Sequence, residues 1–178
     1  MTTYVALLYS IVLNKDRRVV MADLKAVAAG LGYTSPRTVL ATGNLVFEAL
    51  AQAVSRIEND LETAFAEAFG KHIDIIVRSA EDWRKLLKGN PFGDDEASQL
   101  IVRVMRQPVT PEAMTALQAK AGGEQVAAIG GDVWVRFAGQ ANESRLLGLL
   151  TSQKMGPGTL RNLNTVRKIA DILERESS

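Results

Sequence analysis

Apolar residues change their period along the chain, and the changes separate strands from helices. Residues 4–8 form an apolar run suited to a buried strand. Residues 10–19 break the pattern and read as an irregular basic connection. Met21, Leu24, Val27, Ala28 and Leu31 then recur at helical spacing, with Gly32 placed for a left-handed C-terminal cap. Two β-prone runs within residues 37–48 flank Gly43-Asn44, which predicts a hairpin closed by a tight two-residue turn. Val54, Ile57, Leu61, Phe65 and Ala68 mark a second helix ended by Gly70, and residues 73–78 return to a strand. The order is βαββαβ, the ferredoxin-like plan of one sheet with two helices on a face. Ser79-Ala80-Glu81-Asp82 resembles a capping box and opens a short helix that Gly89 closes.

The same order recurs after the turn at Asn90-Pro91-Phe92-Gly93. Residues 100–105 read as a strand, and Thr110-Pro111 supplies an N-cap and a first-turn proline for a helix ended by Gly122-Gly123. Residues 126–129 and 133–137 flank Gly130-Gly131-Asp132 as a second hairpin. A leucine-rich helix over 142–150, a break at Gly156-Pro157-Gly158, a short strand over 159–161 and a final amphipathic helix follow. The pattern predicts an α+β protein of two ferredoxin-like halves, residues 1–89 and 90–178, with a terminal helix. It points to a duplication within one compact unit.

A chain of 178 residues can bury a real core in either arrangement. With 21 Lys and Arg against 20 Asp and Glu, and no sign asymmetry between the halves, it is not a polycation coating nucleic acid or a membrane. No apolar stretch approaches the ~20 residues of a membrane span. The start lacks a signal-peptide pattern, so a cytoplasmic protein without membrane association is expected. The absence of cysteine removes thiolate chemistry and cysteine metal sites. A lone histidine, His72, removes histidine-rich ones.

Most chemistry-bearing residues have an ordinary structural reading. His72 lies between a helix cap and a strand with no second histidine or cysteine, and is expected to be a loop residue rather than a catalyst. Asp94-Asp95-Glu96 lacks the spaced ligands of a calcium loop. Ser10 has no nucleophile-elbow context, and Gly156-Pro157-Gly158 is followed by no Gly-Lys-Ser/Thr. No catalytic constellation, cofactor site or metal site is recognised. The tract from Thr159 to Lys168 differs. Thr159, Arg161, Asn162, Asn164, Thr165 and Lys168 surround a predicted helix start, where free backbone N–H groups and the helix dipole favour an anion. A ligand role and a purely structural network both fit it. Arg17 and Arg18, with Lys15, are further candidates if the fold brings them near.

Met21-x-x-Leu24 after a basic loop, Thr42-Gly43-Asn44-Leu45-Val46-Phe47, Asn90-Pro91-Phe92 and the run from Arg161 to Lys168 together resemble the landmarks of the bacterial family DUF1697, in its order. The resemblance implies two ferredoxin-like halves and no established activity or cofactor. In that family the first strand leads into Arg-Gly-Ile-Asn-Val-Gly-Gly. Here the matching run, Tyr9-Ser10-Ile11-Val12-Leu13-Asn14-Lys15, lacks the arginine and the glycines, which implies a lost or altered loop site. A tryptophan of the family's C-terminal motif is replaced by Leu163.

The expected function is therefore binding of an anionic small molecule or nucleic acid, by a monomer or homodimer. Two alternatives remain: an enzyme acting on a small phosphorylated substrate, with Arg161 and Lys168 stabilising charge, and a homo-oligomeric interaction module using an open sheet edge.

Overall fold

The computed structural model describes residues 1–176. Within them the chain is a mixed α/β fold that divides into two compact units, Met1–Arg84 joined by the chain from Lys168, and Lys85–Arg167.

In the first unit, β1 (Thr2–Leu8) leads into a small hairpin, β2 (Val12–Asn14) and β3 (Arg17–Arg18), where the sequence pattern indicates an irregular connection. Its tip closes locally, because the Asn14 carboxamide oxygen accepts from the Asp16 N–H at 2.9 Å. Helix α1 (Met21–Gly30) follows and ends at Gly32, whose φ of 83° provides the left-handed exit. Strand β4 (Thr34–Thr38) carries Pro36 and a register shift between Thr34 and Arg37, features tolerated because it is an edge strand. Then come β5 (Asn44–Ala49), α2 (Val54–Phe69) with Gly70 in the left-handed conformation, and β6 (Ile75–Ser79).

The turn between β4 and β5 is wider than the expected two-residue Gly43-Asn44 turn. Asn44 is the first residue of β5 and is fully buried. Its side-chain amide donates to the Val39 carbonyl at 2.8 Å and to Thr42 Oγ1 at 2.9 Å, strapping residues 39–43 into a closed loop. The strap satisfies a buried amide and fixes the loop, so Asn44 acts through its side chain rather than through a positive φ.

The first sheet runs β4-β5-β1-β6 with β1 antiparallel to both neighbours. One face, with Tyr4, Ala6, Leu45, Phe47, Ile75 and Val77, packs in a single cluster with Leu24 and Ala28 of α1 and Ile57, Leu61 and Phe65 of α2. On the other face Val5, Leu7, Val46 and Ile76 are buried as well. At the β6 edge, Glu58 of α2 is buried and accepts from the Val77 N–H at 3.0 Å, which satisfies a strand donor without a neighbouring strand. Glu58→Ala is expected to destabilise the protein by about 1–3 kcal/mol, while Glu58→Gln, which keeps an acceptor, retains most of that stability. Urea midpoints of the two variants check this.

Helix α3 (Ala80–Lys88) begins as the capping pattern predicts, with Ser79 Oγ accepting from the Asp82 N–H at 3.1 Å. The division between the two units falls inside this helix, between Arg84 and Lys85.

The second unit contains β7 (Leu100–Met105), α4 (Pro111–Lys120), β8 (Gln125–Ile129), β9 (Asp132–Arg136), α5 (Arg145–Leu150) and β10 (Gly158–Asn162). Thr110 caps α4 by accepting from the Ala113 N–H at 3.1 Å. Gly130 and Gly131, at φ 61° and 91°, form the two-residue hairpin turn between β8 and β9. The leucine-rich helix is shorter than its pattern. A single turn over Ala141–Glu143 precedes it, and Ser144 Oγ caps a fresh start by accepting from the Leu146 N–H at 3.1 Å. The sheet order is β10-β7-β9-β8, antiparallel throughout. Val133, Val135 and Phe137 pack with Leu117, Leu146, Leu150 and Met155 to make its core. The last helix, α6 (Leu163–Glu176), starts in the second unit and ends in the first, where the Glu176 carboxylate pairs with Arg37.

Candidate functional site

The polar tract at the end of the chain resolves into two structural pieces. Thr159 and Arg161 lie on β10, on the sheet face shared with Val102 and Val104, and are 3% and 9% exposed. Arg161 Nη1 donates to Thr159 Oγ1 and to the Leu160 carbonyl, both at 2.8 Å. Burial pulls its guanidinium from arginine's ordinary value down to about 10. Asn162 precedes α6 and accepts from the Thr165 N–H at 2.9 Å, so it is the N-cap. Arg167 is paired with Asp94 at 2.5 Å. Of the expected site residues, Asn164 and Lys168 are exposed and Thr165 is half-buried. The tract thus closes a sheet and starts a helix with most of its polar groups engaged.

The acidic loop is engaged too. Besides Asp94 with Arg167, Glu96 faces Arg136 at 3.9 Å. Ser10 Oγ accepts from the Val12 N–H at 3.0 Å, fixing the turn into β2 rather than standing as a nucleophile.

Arg17 and Arg18 belong to the other unit. Both are exposed on β3, as is Lys15 beside them. The hairpin that carries them is anchored from two sides: the Val19 N–H donates to the Ile11 carbonyl at 2.8 Å, and Lys71 Nζ donates to the Val12 carbonyl at 2.9 Å. Gly43, at φ 87°, brings the β4–β5 loop against the hairpin's base, where a Cβ would lie 3.0 Å from Ile11 Cγ2 and 3.1 Å from Leu8 Cβ. The run Tyr9 to Lys15 and the Thr42-Gly43-Asn44 landmark are therefore neighbours in space. The DUF1697 family, described as a protein of unknown function, matches residues 1–134.

The chain belongs to the DUF1697 family.

The matched span holds Arg17, Arg18 and the loop landmark, and stops short of Thr159 to Lys168. The conserved bacterial protein SP0830 from Streptococcus pneumoniae has a similar fold, with a TM-score of 0.77 at 21% identity over 97% of this chain and 98% of that one. No curated protein matches the chain. None of the six α-helices found among the described residues is long and apolar enough to cross a membrane.

His72 has partners that a search for histidines and cysteines does not reveal. Its Nε2 lies 3.8 Å from Glu62 Oε2 on α2 and 3.8 Å from Asp74 Oδ1 just before β6. The spacing of Glu62, His72 and Asp74 in the sequence gives no metal signature. They meet because Gly70 reverses the chain at the end of α2.

Proposed function

We propose that this DUF1697 member binds a phosphate-bearing polyanion, nucleic acid in particular, through the basic hairpin of β2 and β3. The observation that carries the reading is that Lys15, Arg17 and Arg18 are exposed within four positions of each other and make no ion pair among the described residues. Other arginines are already committed: Arg37 to Glu176, Arg136 to Glu96 and Arg167 to Asp94. Tyr9, 52% exposed at the base of the hairpin, offers an aromatic face beside the cations. The expected ligand site thus shifts from Arg161 and its neighbours to Arg17 and Arg18.

We also infer that the two units descend from a duplicated ferredoxin-like βαββαβ element. In support, each sheet has its four principal strands in the order second, third, first, fourth from one edge.

Fluorescence anisotropy with labelled single-stranded RNA and duplex DNA tests the binding reading. Three phosphate contacts predict a slope of log affinity against log salt of about −2 for single strands and about −3 for duplex. The triple variant Lys15→Ala, Arg17→Ala, Arg18→Ala is expected to flatten that slope. Absence of binding at low salt, or a triple variant that binds like the parent, would overturn the reading.

A further inference from the structure

We propose that Glu62, His72 and Asp74 form a binding site for a divalent transition-metal ion of the zinc type. One ligand atom from each of the three residues lies within 4.8 Å of the other two. The imidazole Nε2 faces both carboxylate oxygens at 3.8 Å, beyond hydrogen-bonding distance from either. A zinc ion about 2.1 Å from each of three tetrahedral ligands sets those ligands about 3.4 Å apart. The two edges that meet at His72 each shorten by roughly 0.4 Å to reach that spacing, within reach of an imidazole that is 70% exposed. The edge between the carboxylates, no longer than 4.8 Å, shortens by at most about 1.4 Å through side-chain rotation.

The chain on either side of the ring is anchored to the first strand's end and the hairpin. Lys71 Nζ donates to the Val12 carbonyl at 2.9 Å, and the Asp74 backbone carbonyl accepts from the Tyr9 N–H at 3.0 Å. Glu62 projects from the middle of α2, and its side chain is only 13% exposed. Two carboxylates brought this close repel each other, and a divalent cation between them turns that repulsion into attraction. The donor set decides the metal class. One imidazole nitrogen and two carboxylate oxygens suit Zn²⁺, Ni²⁺ or Co²⁺, whereas Ca²⁺ takes six to eight oxygens. Three protein ligands leave a fourth position for water or an external anion.

Isothermal titration calorimetry of chelator-treated protein with ZnCl₂, followed by NiCl₂, tests the site. One Zn²⁺ per chain is expected, with a rise in melting temperature. Loss of an outer-shell partner alone typically weakens a metal site 10–100-fold, so loss of a ligand must weaken it at least about tenfold. His72→Ala, Glu62→Gln and Asp74→Asn are each expected to do so, with circular dichroism confirming that the variants fold. The proposal is overturned by no binding, by binding that survives His72→Ala, or by binding that depends on His72 while Glu62→Gln and Asp74→Asn leave it unchanged. The hairpin triple variant is expected to bind Zn²⁺ like the parent, which keeps this site separate from polyanion binding.

Discussion

Replacing Phe47 by Ala is expected to lower the free energy of unfolding by about 4 kcal/mol. Phe47 is fully buried on β5, opposite Tyr4 in the register of the central strand pair. Its ring stacks on Tyr33 at a centroid distance of 4.7 Å and on Tyr4 at 5.9 Å. The substitution removes the middle ring of that stack and leaves a cavity in the cluster shared with Leu24, Ile57 and Phe65, because elements on three sides hold its walls apart. Aromatic pairing contributes roughly 0.5–1.5 kcal/mol beyond area burial, so Phe47→Leu is expected to recover much, though not all, of the loss. Urea unfolding followed by circular dichroism measures both. A loss below about 1 kcal/mol for Phe47→Ala would mean that the cluster collapses into the gap. Since whole domains are stable by only about 5–15 kcal/mol, the expected loss is a large share of the total.

Arg161→Ala is expected to cost about 3 kcal/mol of stability and to leave the salt dependence of nucleic-acid binding unchanged. The side chain is buried on β10 and held by Thr159 and the Leu160 carbonyl, so truncation opens a void and removes a donor from buried oxygens. Arg161→Met keeps most of the volume while removing a buried charge, and is expected to be more stable than Arg161→Ala. The pH dependence follows from the lowered guanidinium value of about 10. Below it, folded and unfolded chains both hold the proton and the burial penalty is constant. Above it, the folded chain releases its proton first, the unfolded chain binds more, and stability rises with pH. Between pH 6 and 8 the cost of Arg161→Ala is therefore flat. A cost that varied across that range, or a variant of full stability with a flattened salt slope, would return Arg161 to the ligand site.

How much of the protein was legible beforehand varies from element to element. Strand 100–105, the Thr110-Pro111 helix start, the Ser79 cap and the Gly130-Gly131 turn were readable because each depends on residues adjacent in sequence. The β4–β5 turn is ambiguous in sequence because Asn44 can supply either a positive φ or a side-chain strap. The buried amide bonds to Val39 and Thr42 select the strap. Among site residues, Arg17 and Arg18 were visible as charge. That they are free while Arg37, Arg136 and Arg167 are paired depends on Glu176, Glu96 and Asp94, which lie 40 to 139 positions away in the chain.

The sequence by itself determined the period, the caps and the punctuation of most elements, and with them the mixed α/β class. Local sterics and backbone hydrogen bonding act within a few residues, so they are written in the order of the chain. Only the tertiary structure decided which polar groups are spent. Packing buries Thr159 and Arg161 in a sheet, turns Asn162 into a cap, leaves Lys15, Arg17 and Arg18 exposed, and folds His72 back against Glu62 and Asp74. Desolvation and Coulomb forces depend on distance through space, and that distance exists only once the chain has folded.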